Sequence, residues 1–587
     1  MIRSLYLLAI SCLFFFLSSC SGDKTEESPW KHNDNTLRVR HPSAIRTMNP
    51  YFATVRYEAD VHKLVFQELM EFDYQSQELT PMLLKSQPVI EKITEGEFQG
   101  GLKLTYEILD EAVWDDGKPI TGHDYLFSMK TVFNPKLPTQ NIVGYFDNAV
   151  DVEVDAENPK KFSVFTNNSY ILSLPGISNF VVIPEHIYDP AGLSKAISFK
   201  ELRNPANAKK MEADENVAQF AASFSDPKFA KEIVVGSGPY KLVEWEEGQR
   251  VVLAKKQNWW GEKLADKNIH LLAHPDTIIF YPITDQAATI TALKDESIDV
   301  AAEIDAQQFV DLRDNEFTKP LLGFYTPPTY MYFMTIMNNS NPKLSDKRVR
   351  RALAHVVDMD LVINELYNGL AERMVGPVFP SKKYFDKSLQ PIDFNLEKAR
   401  QLLKDAGWED SNGNGTVDKV VDGQLTEMSL SYQYDPKSAF QDNFSELFKN
   451  NAQKAGIEIK REAMDFKVIR QNNSDGNYEL SGRAVGWYPL PDDFKQLWHT
   501  DAIGTTRGNF PRFGNAETDA LIDAIRYNAD EEERNAQYVE FQKIVYEEQP
   551  VIFQIIPLNR IAAHKRFEPA IGQLGISPQH FKLKEEN

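Results

Sequence analysis

Side-chain oxygens recur at alternate positions in the run Asp410-Ser411-Asn412-Gly413-Asn414-Gly415-Thr416-Val417-Asp418. Loop positions 1, 3, 5 and 9 carry them and position 6 is glycine, as in a calcium loop. Position 12 is Val421 rather than the bidentate glutamate, and Asx/Gly turns form for backbone reasons alone. A structural turn is expected here, with calcium as the alternative. A second chemical candidate, Gly236-Ser237-Gly238-Pro239-Tyr240, is not G-x-S-x-G, and the chain has no Walker or dinucleotide pattern. It is expected to be a tight turn feeding a strand from Tyr240 to Val243. Eleven histidines are scattered without H-E-x-x-H, so metal ligation by histidine is not expected. No motif pairs two carboxylates for hydrolysis, so an enzyme is not expected, and no cofactor signature is present.

Both cysteines, Cys12 and Cys20, lie in the first twenty residues. There Arg3 precedes a largely apolar run from Leu5 to Leu17, followed by Ser18-Ser19-Cys20. A spanning helix needs about 20 apolar residues, so this is a targeting segment to be set aside from the fold. Leu17-Ser18-Ser19-Cys20 resembles the bacterial lipobox, which implies lipidation at Cys20 and anchoring to the cell-envelope membrane; a plain secretory signal is the alternative. Residues 21–35 are polar and are expected to form a tether. The 587 residues carry 64 basic and 85 acidic side chains, a net charge of −21. That balance disfavours nucleic acid, which calls for a basic surface. At roughly 150 residues per domain, about four structural units are expected.

From Thr36 onward short β-like runs (Leu37 to Val39, Leu102 to Ile108, Phe162 to Phe165, Val251 to Lys255, Thr277 to Tyr281) alternate with helical stretches and turn clusters. The expected class is α/β, a mixed α+β organisation without fixed-period repeats. The densest segment is Leu344 to Pro380. Ser345 or Asp346 is placed to cap a helix with Val349, Leu353 and Val356 on its apolar side. Asp358 is placed to cap a second, carrying Leu361, Ile363 and Leu366, with Asn368-Gly369 as its left-handed stop. Gly376-Pro377 and Pro380 then force an extended chain.

The order of residues in this segment resembles the signature of the bacterial extracellular solute-binding proteins of family 5, which include the oligopeptide- and dipeptide-binding components of ABC transporters. Arg350, Ala352, Asp358, Tyr367, Gly369, Ala371 and Pro377 stand at the family's positions. Val356 and Met359 depart from it. Further matches follow in family order: Asn49-Pro50 with Val65 to Leu69, Trp114 to Asp124, Gly236 to Tyr240, Asn258 to Gly261, Ala406 to Trp408, Gly456-Ile457, Gly486-Trp487 and Glu548 to Val551. In the Trp114 to Asp124 stretch, Asp116-Gly117 is a hairpin-type turn and Thr121 a natural N-cap.

The resemblance implies a two-lobed periplasmic-binding-protein fold with a discontinuous first lobe and an extra small domain. The expected boundaries are 36–82, 230–326 and 546–587 for lobe I, 83–229 for the additional domain and 327–545 for lobe II. It also implies a monomeric, periplasmic, lipid-anchored protein that encloses a peptide or similar small polar solute by hinge closure and delivers it to an ABC permease. The implied cleft residues are Trp487 with its neighbour Tyr488; Tyr57 reads first as a core tyrosine, with the facing wall of the cleft as the alternative. Leu490 stands where the family carries the carboxylate that pairs with a peptide's amino terminus, and leucine cannot neutralise a buried ammonium. Asp492 or Asp493 is the candidate substitute, but Pro491-Asp492-Asp493-Phe494 fits the family's following Pro-Asp-x-Phe turn better. This departure keeps an oligosaccharide or another polar solute open as the ligand.

Overall fold

The computed structural model describes residues 30–54, 56–144, 146–486, 488–505 and 508–585. Two mixed sheets carry the two-lobed α/β architecture. The first has seven strands in the order Tyr240–Glu246, Arg250–Lys255, Thr277–Pro282, Thr36–His41, Val300–Ala301, Ile561–His564, Leu322–Tyr325. Thr36–His41 runs parallel to Thr277–Pro282, pairing Leu37 with Ile278 and Val39 with Phe280; all four are buried. The second sheet has five strands, in the order Glu458–Ala463, Ser429–Tyr434, Leu480–Gly486, Met331–Met337, Val551–Phe553. The β-like runs named above all fall in strands, because each alternates or concentrates branched and aromatic residues between turn residues.

An antiparallel four-stranded sheet, Val89–Lys92, Leu102–Glu107, Lys161–Thr166 and Ala149–Val154, adds a third layer. It shares one apolar core with the first sheet, from Leu37 and Val39 through Leu104 and Tyr106 to Phe220 and Phe224. The second sheet keeps separate cores on its two faces, one around Leu353, Tyr432 and Phe448 and one around Tyr332, Trp498 and Phe541.

Two chain segments cross between the large sheets. One leads from Leu322–Tyr325 to Met331–Met337 and the other returns from Val551–Phe553 to Ile561–His564. They run antiparallel and are tied by the Pro328–Leu558 bridge. The Asn559 amide donates to the Pro327 carbonyl at 2.8 Å, and the Thr329 hydroxyl donates to the Pro557 carbonyl at 2.8 Å. Val551–Phe553 pairs with Met331–Met337, so the chain re-enters the first sheet only at Ile561. The glutamine-proline turn before Val551 thus ends a helix while the chain stays with the second sheet.

A buried ion pair closes the first sheet. Arg566 and Asp299 are both almost fully buried, and the guanidinium donates to both carboxylate oxygens, Nε at 2.8 Å and Nη2 at 2.9 Å. Nη2 also donates to the Thr36 carbonyl at 2.6 Å, while Asp299 accepts the Arg38 amide at 2.8 Å. Three segments far apart in sequence therefore meet at one bidentate pair.

The Leu344–Pro380 segment follows its capping signals. Asp346 caps Lys347–His355 by accepting the Arg348 amide, and Val349, Leu353 and Val356 are fully buried. Arg350, also buried, explains a motif that spacing alone leaves open. Its guanidinium donates to the carbonyls of Leu344 at 2.9 Å, Ser345 at 2.8 Å, Glu548 at 2.6 Å and Gln549 at 3.2 Å. Glu548 ends the helix Glu531–Glu548, whose last carbonyls lack intrahelical donors; Arg350 supplies them. The second helix departs from expectation. After Met359–Leu361 the chain widens into a π-turn at Val362–Leu366, which shifts the buried face by about one position. Met359 and Val362 are buried while Leu361 is 40% exposed. Asn368 and Gly369 both take left-handed backbone, and the Gly369 amide closes on the Ile363 carbonyl at 2.9 Å.

Arg350→Lys is expected to lower stability by about 3 kcal/mol, because one ammonium cannot reach four carbonyls that a planar guanidinium spans. Asp299→Asn, which leaves Arg566 buried and uncompensated, should cost about 3–5 kcal/mol. Urea denaturation of the purified variants measures both.

Candidate functional site

The loop that follows the central strand Leu480–Gly486 carries most of the expected site. Trp487 lies outside the described residues, as does Cys20. Tyr488 is 56% exposed. Asp492, four residues on, is only 2% exposed, and its partners come from the segment just after Pro380. The Tyr384 hydroxyl donates to Asp492 Oδ2 at 3.0 Å and accepts the Asp492 amide at 3.1 Å. The Lys382 ammonium stands 3.8 Å from Asp492 Oδ1. It also donates to the carbonyls of Tyr488, at 3.2 Å, and Leu490. Tyr538 stacks on Tyr384 with ring centroids 4.0 Å apart and donates to the Asp492 carbonyl at 2.6 Å. Lys382, Tyr384 and Tyr538 thus hold residues 488–492 at three backbone carbonyls and one carboxylate.

Burial outweighs attraction in this pair. It pushes the Asp492 carboxyl up to about 6, against the pull of Lys382 and Tyr384, and draws the Lys382 ammonium below its usual value. Both shifts move toward the neutral forms, as expected where desolvation exceeds the Coulombic gain. The carboxylate expected to face a ligand's amino group is therefore turned into the lobe and engaged by the protein's own lysine.

Tyr57 belongs to the other lobe, at the start of the helix Arg56–Val65. It is half-buried, and its hydroxyl donates to Glu303 at 2.7 Å. Burial, with the Glu303 carboxylate, raises its phenol to about 12. Arg56 pairs with the same carboxylate and lies 5.0 Å over the Tyr57 ring. Glu303 has left-handed backbone, φ 56°. Its amide donates to the Asn559 side chain at 3.2 Å, which sets Tyr57, Arg56 and Glu303 beside a crossing segment. Tyr57 is thus neither grouped with Tyr488 and Asp492 nor a core residue. The lobes also touch where the Tyr330 hydroxyl donates to the Gln77 side chain.

Neither loop considered for chemistry gathers reactive groups. A Cβ on Gly236 would come within 2.2 Å of the Val65 carbonyl oxygen, and one on Gly238 within 2.6 Å of that of Leu64. The Ser237 carbonyl accepts both indole N–H groups of Trp259, at 2.8 Å, and Trp260, at 3.1 Å. These close approaches make it the expected tight turn. In the Asp410–Asp418 loop, Asp410 accepts the amides of Gly413, Asn414 and Gly415, and Asp418 accepts the Ser411 amide and hydroxyl. The loop is closed by its own hydrogen bonds. Among the described residues no group of three or more histidine, aspartate or glutamate side chains is placed to hold a metal.

Residues 78–505 match the model of bacterial extracellular solute-binding proteins, family 5 Middle. The chain belongs to that family. Among its relatives, the oligopeptide-binding protein AppA of Bacillus subtilis is 22% identical over 578 residues, spanning 96% of this chain and 94% of AppA. Two solved structures of the fold differ in what they hold. AppA of Bacillus subtilis in complex with a nonapeptide superposes with a TM-score of 0.64 at 19% identity, covering 94% of this chain and 99% of that one. NikA of Brucella suis in complex with Fe(III)-EDTA superposes with a TM-score of 0.72 at 18% identity, covering 94% and 100%. In this member of the solute-binding family, Lys382 and Tyr384 carry no periodic signal that would have marked them; they stand in an irregular stretch after a proline.

The Asp492 carboxyl is raised in the folded state, so its contribution to stability is fully present below about pH 4 and is lost as pH rises through about 6. Between pH 4 and 6.5 wild-type stability should fall relative to Asp492→Asn by up to about 3 kcal/mol. Denaturation midpoints of the two proteins across that range check the sign.

Proposed function

We propose that this protein is a lipid-anchored receptor that captures peptides between its two lobes and presents them to a membrane ABC permease. Its mechanism is binding and hinge closure without covalent chemistry. The observation that carries this reading is the near full-length correspondence to an oligopeptide-binding protein, on a fold whose two large sheets are joined by paired crossing segments. Lobe I would comprise 36–82, 230–326 and the chain after the second crossing, with 83–229 as its additional domain. Lobe II would run from 327 to that crossing. Trp487 and Tyr488 would form one wall of the cleft and Tyr57 with Glu303 the other, exposed backbone groups adding the peptide as a strand. Cys20 would carry the lipid, placing the protein in the periplasm on the envelope membrane as a monomer.

One observation favours a second ligand class within the same mechanism. Leu490 replaces the expected carboxylate and Asp492 is engaged by Lys382, so the loop offers no free anion to an ammonium. A polar solute without an amino terminus, such as an oligosaccharide, would not need one.

Native mass spectrometry of the purified protein should show a retained mass, which fragmentation assigns to peptide or saccharide. In thermal shift, a bound pool at a hundredfold excess over its Kd should add about 2.7 kcal/mol. If no peptide or oligosaccharide pool raises the melting point, the receptor reading fails, and turnover of such a pool would replace it with an enzyme. Trp487→Ala should weaken binding by tenfold or more, about 1.4 kcal/mol; unchanged affinity would remove it from the cleft.

A further inference from the structure

The helix Ala516–Tyr527 of the second lobe ends without a cap of its own. Asn528 follows in extended backbone, φ −81° and ψ 114°, so the last carbonyls must find donors elsewhere. They find them across the molecule, in the loop after Lys161–Thr166 of the additional domain. The Ile171 amide donates to the Arg526 carbonyl at 2.9 Å, and the Ser169 hydroxyl donates to the Tyr527 carbonyl at 3.2 Å. Between them the Tyr170 hydroxyl donates to Asp493 Oδ2 at 2.5 Å. Arg526 Nε reaches both oxygens of the same carboxylate at 3.0 Å, and its guanidinium lies 5.1 Å over the Tyr170 ring. Asp493 and Arg526 are both mostly shielded from solvent. Burial, with the carboxylate beside it, lifts the Tyr170 phenol above its usual range, so it remains a donor at neutral pH.

This contact lies apart from the crossing segments. The Asp493–Arg526 pair is internal to the second lobe, where Asp493 also accepts the Lys495 amide at 2.9 Å, whereas the bonds from Ser169, Tyr170 and Ile171 form only when the lobes meet. When they separate, two helix-terminal carbonyls and a phenol must turn to water, and the Asp493 carboxylate loses one donor while keeping Arg526 and the Lys495 amide. Asp493 also belongs to the loop that Lys382 and Tyr384 position, one residue from Asp492. We infer that the additional domain is a closing strap, in which the Ser169-Tyr170-Ile171 loop caps a lobe II helix in trans and clasps the ligand loop through Asp493. The inference rests on the proposed reading that the lobes close on a solute, and it concerns the regulation of that same site.

Hydrogen–deuterium exchange and small-angle scattering of the full chain, with no solute added, test the strap alone. Tyr170→Phe deletes one hydrogen bond to a charged acceptor, and exchange at the Ile171 amide should rise about tenfold, with a larger radius of gyration. Arg526→Gln should act in the same direction. Protection in Leu102–Glu107 should stay at the wild-type level in both, which separates opening from unfolding. Wild-type protection at Ile171 and an unchanged radius in both variants would overturn the strap. Penta-alanine then tests the peptide reading separately. If wild type binds it, Tyr170→Phe should release it about tenfold faster, and an unchanged release rate counts against the strap. If wild type binds no penta-alanine while exchange and radius change as stated, the strap stands and the peptide reading loses support.

Discussion

The Asp299–Arg566 pair is the constraint on which the first lobe depends. That lobe is assembled from chain segments more than 200 residues apart, and no local signal joins Thr36–His41 to the C-terminal strand. A buried bidentate pair is poor evidence of net stability, because desolvation offsets much of the attraction. Its geometry nevertheless fits only one arrangement of three segments. With Arg566 on Asp299 and on the Thr36 carbonyl, and with Asp299 on the Arg38 amide, the register of the sheet interior is set. The crossing segments connect to the edge strand Leu322–Tyr325 and to Ile561–His564 beside it, two residues before Arg566.

The second lobe answers a different problem. It is nearly continuous in sequence, and its central strand leads into a loop held in one conformation. Arg350 holds the end of the long helix Glu531–Glu548 to the start of Lys347–His355. Tyr538 on that helix in turn supports Tyr384 and Asp492. The signature segment and the turn at Gln549 are matched 200 residues apart because they are two halves of one set of hydrogen bonds. The loop at 488–492 is then fixed through its backbone carbonyls, which leaves the side chain of Tyr488 outward.

Strands and capped helices were legible because their causes are local. Leu37 and Val39 alternate, Asp346 precedes an apolar stripe, and Gly236-x-Gly238 marks a close backbone approach. Residues acting over long distances were not. Lys382, beside Lys383 in a polar loop, reads as a surface lysine, and only the folded chain shows its ammonium beneath Leu490 and Asp492. Leu361 failed as a core residue because the π-turn changes the helical period within one turn. The chain around 551 carries a similar ambiguity. Val551–Phe553 is an apolar run that suits either sheet, and only its pairing with Met334 and Ile336 decides. Tyr57 has a partner in Glu303 that spacing could not reveal.

The sheet order has a consequence for how the chain acquires its shape. Ile561–His564 is an interior strand, flanked by Val300–Ala301 and Leu322–Tyr325, yet it follows every other strand of that sheet in the chain. Until it arrives the first sheet has two open edges facing one another, and open edges invite pairing with other chains. The second lobe, whose strands lie between 331 and 553, can fold before that gap closes. The first lobe cannot. Folding is therefore expected to finish with insertion of a late strand into a waiting slot, an ordering that favours slow, long-range closure.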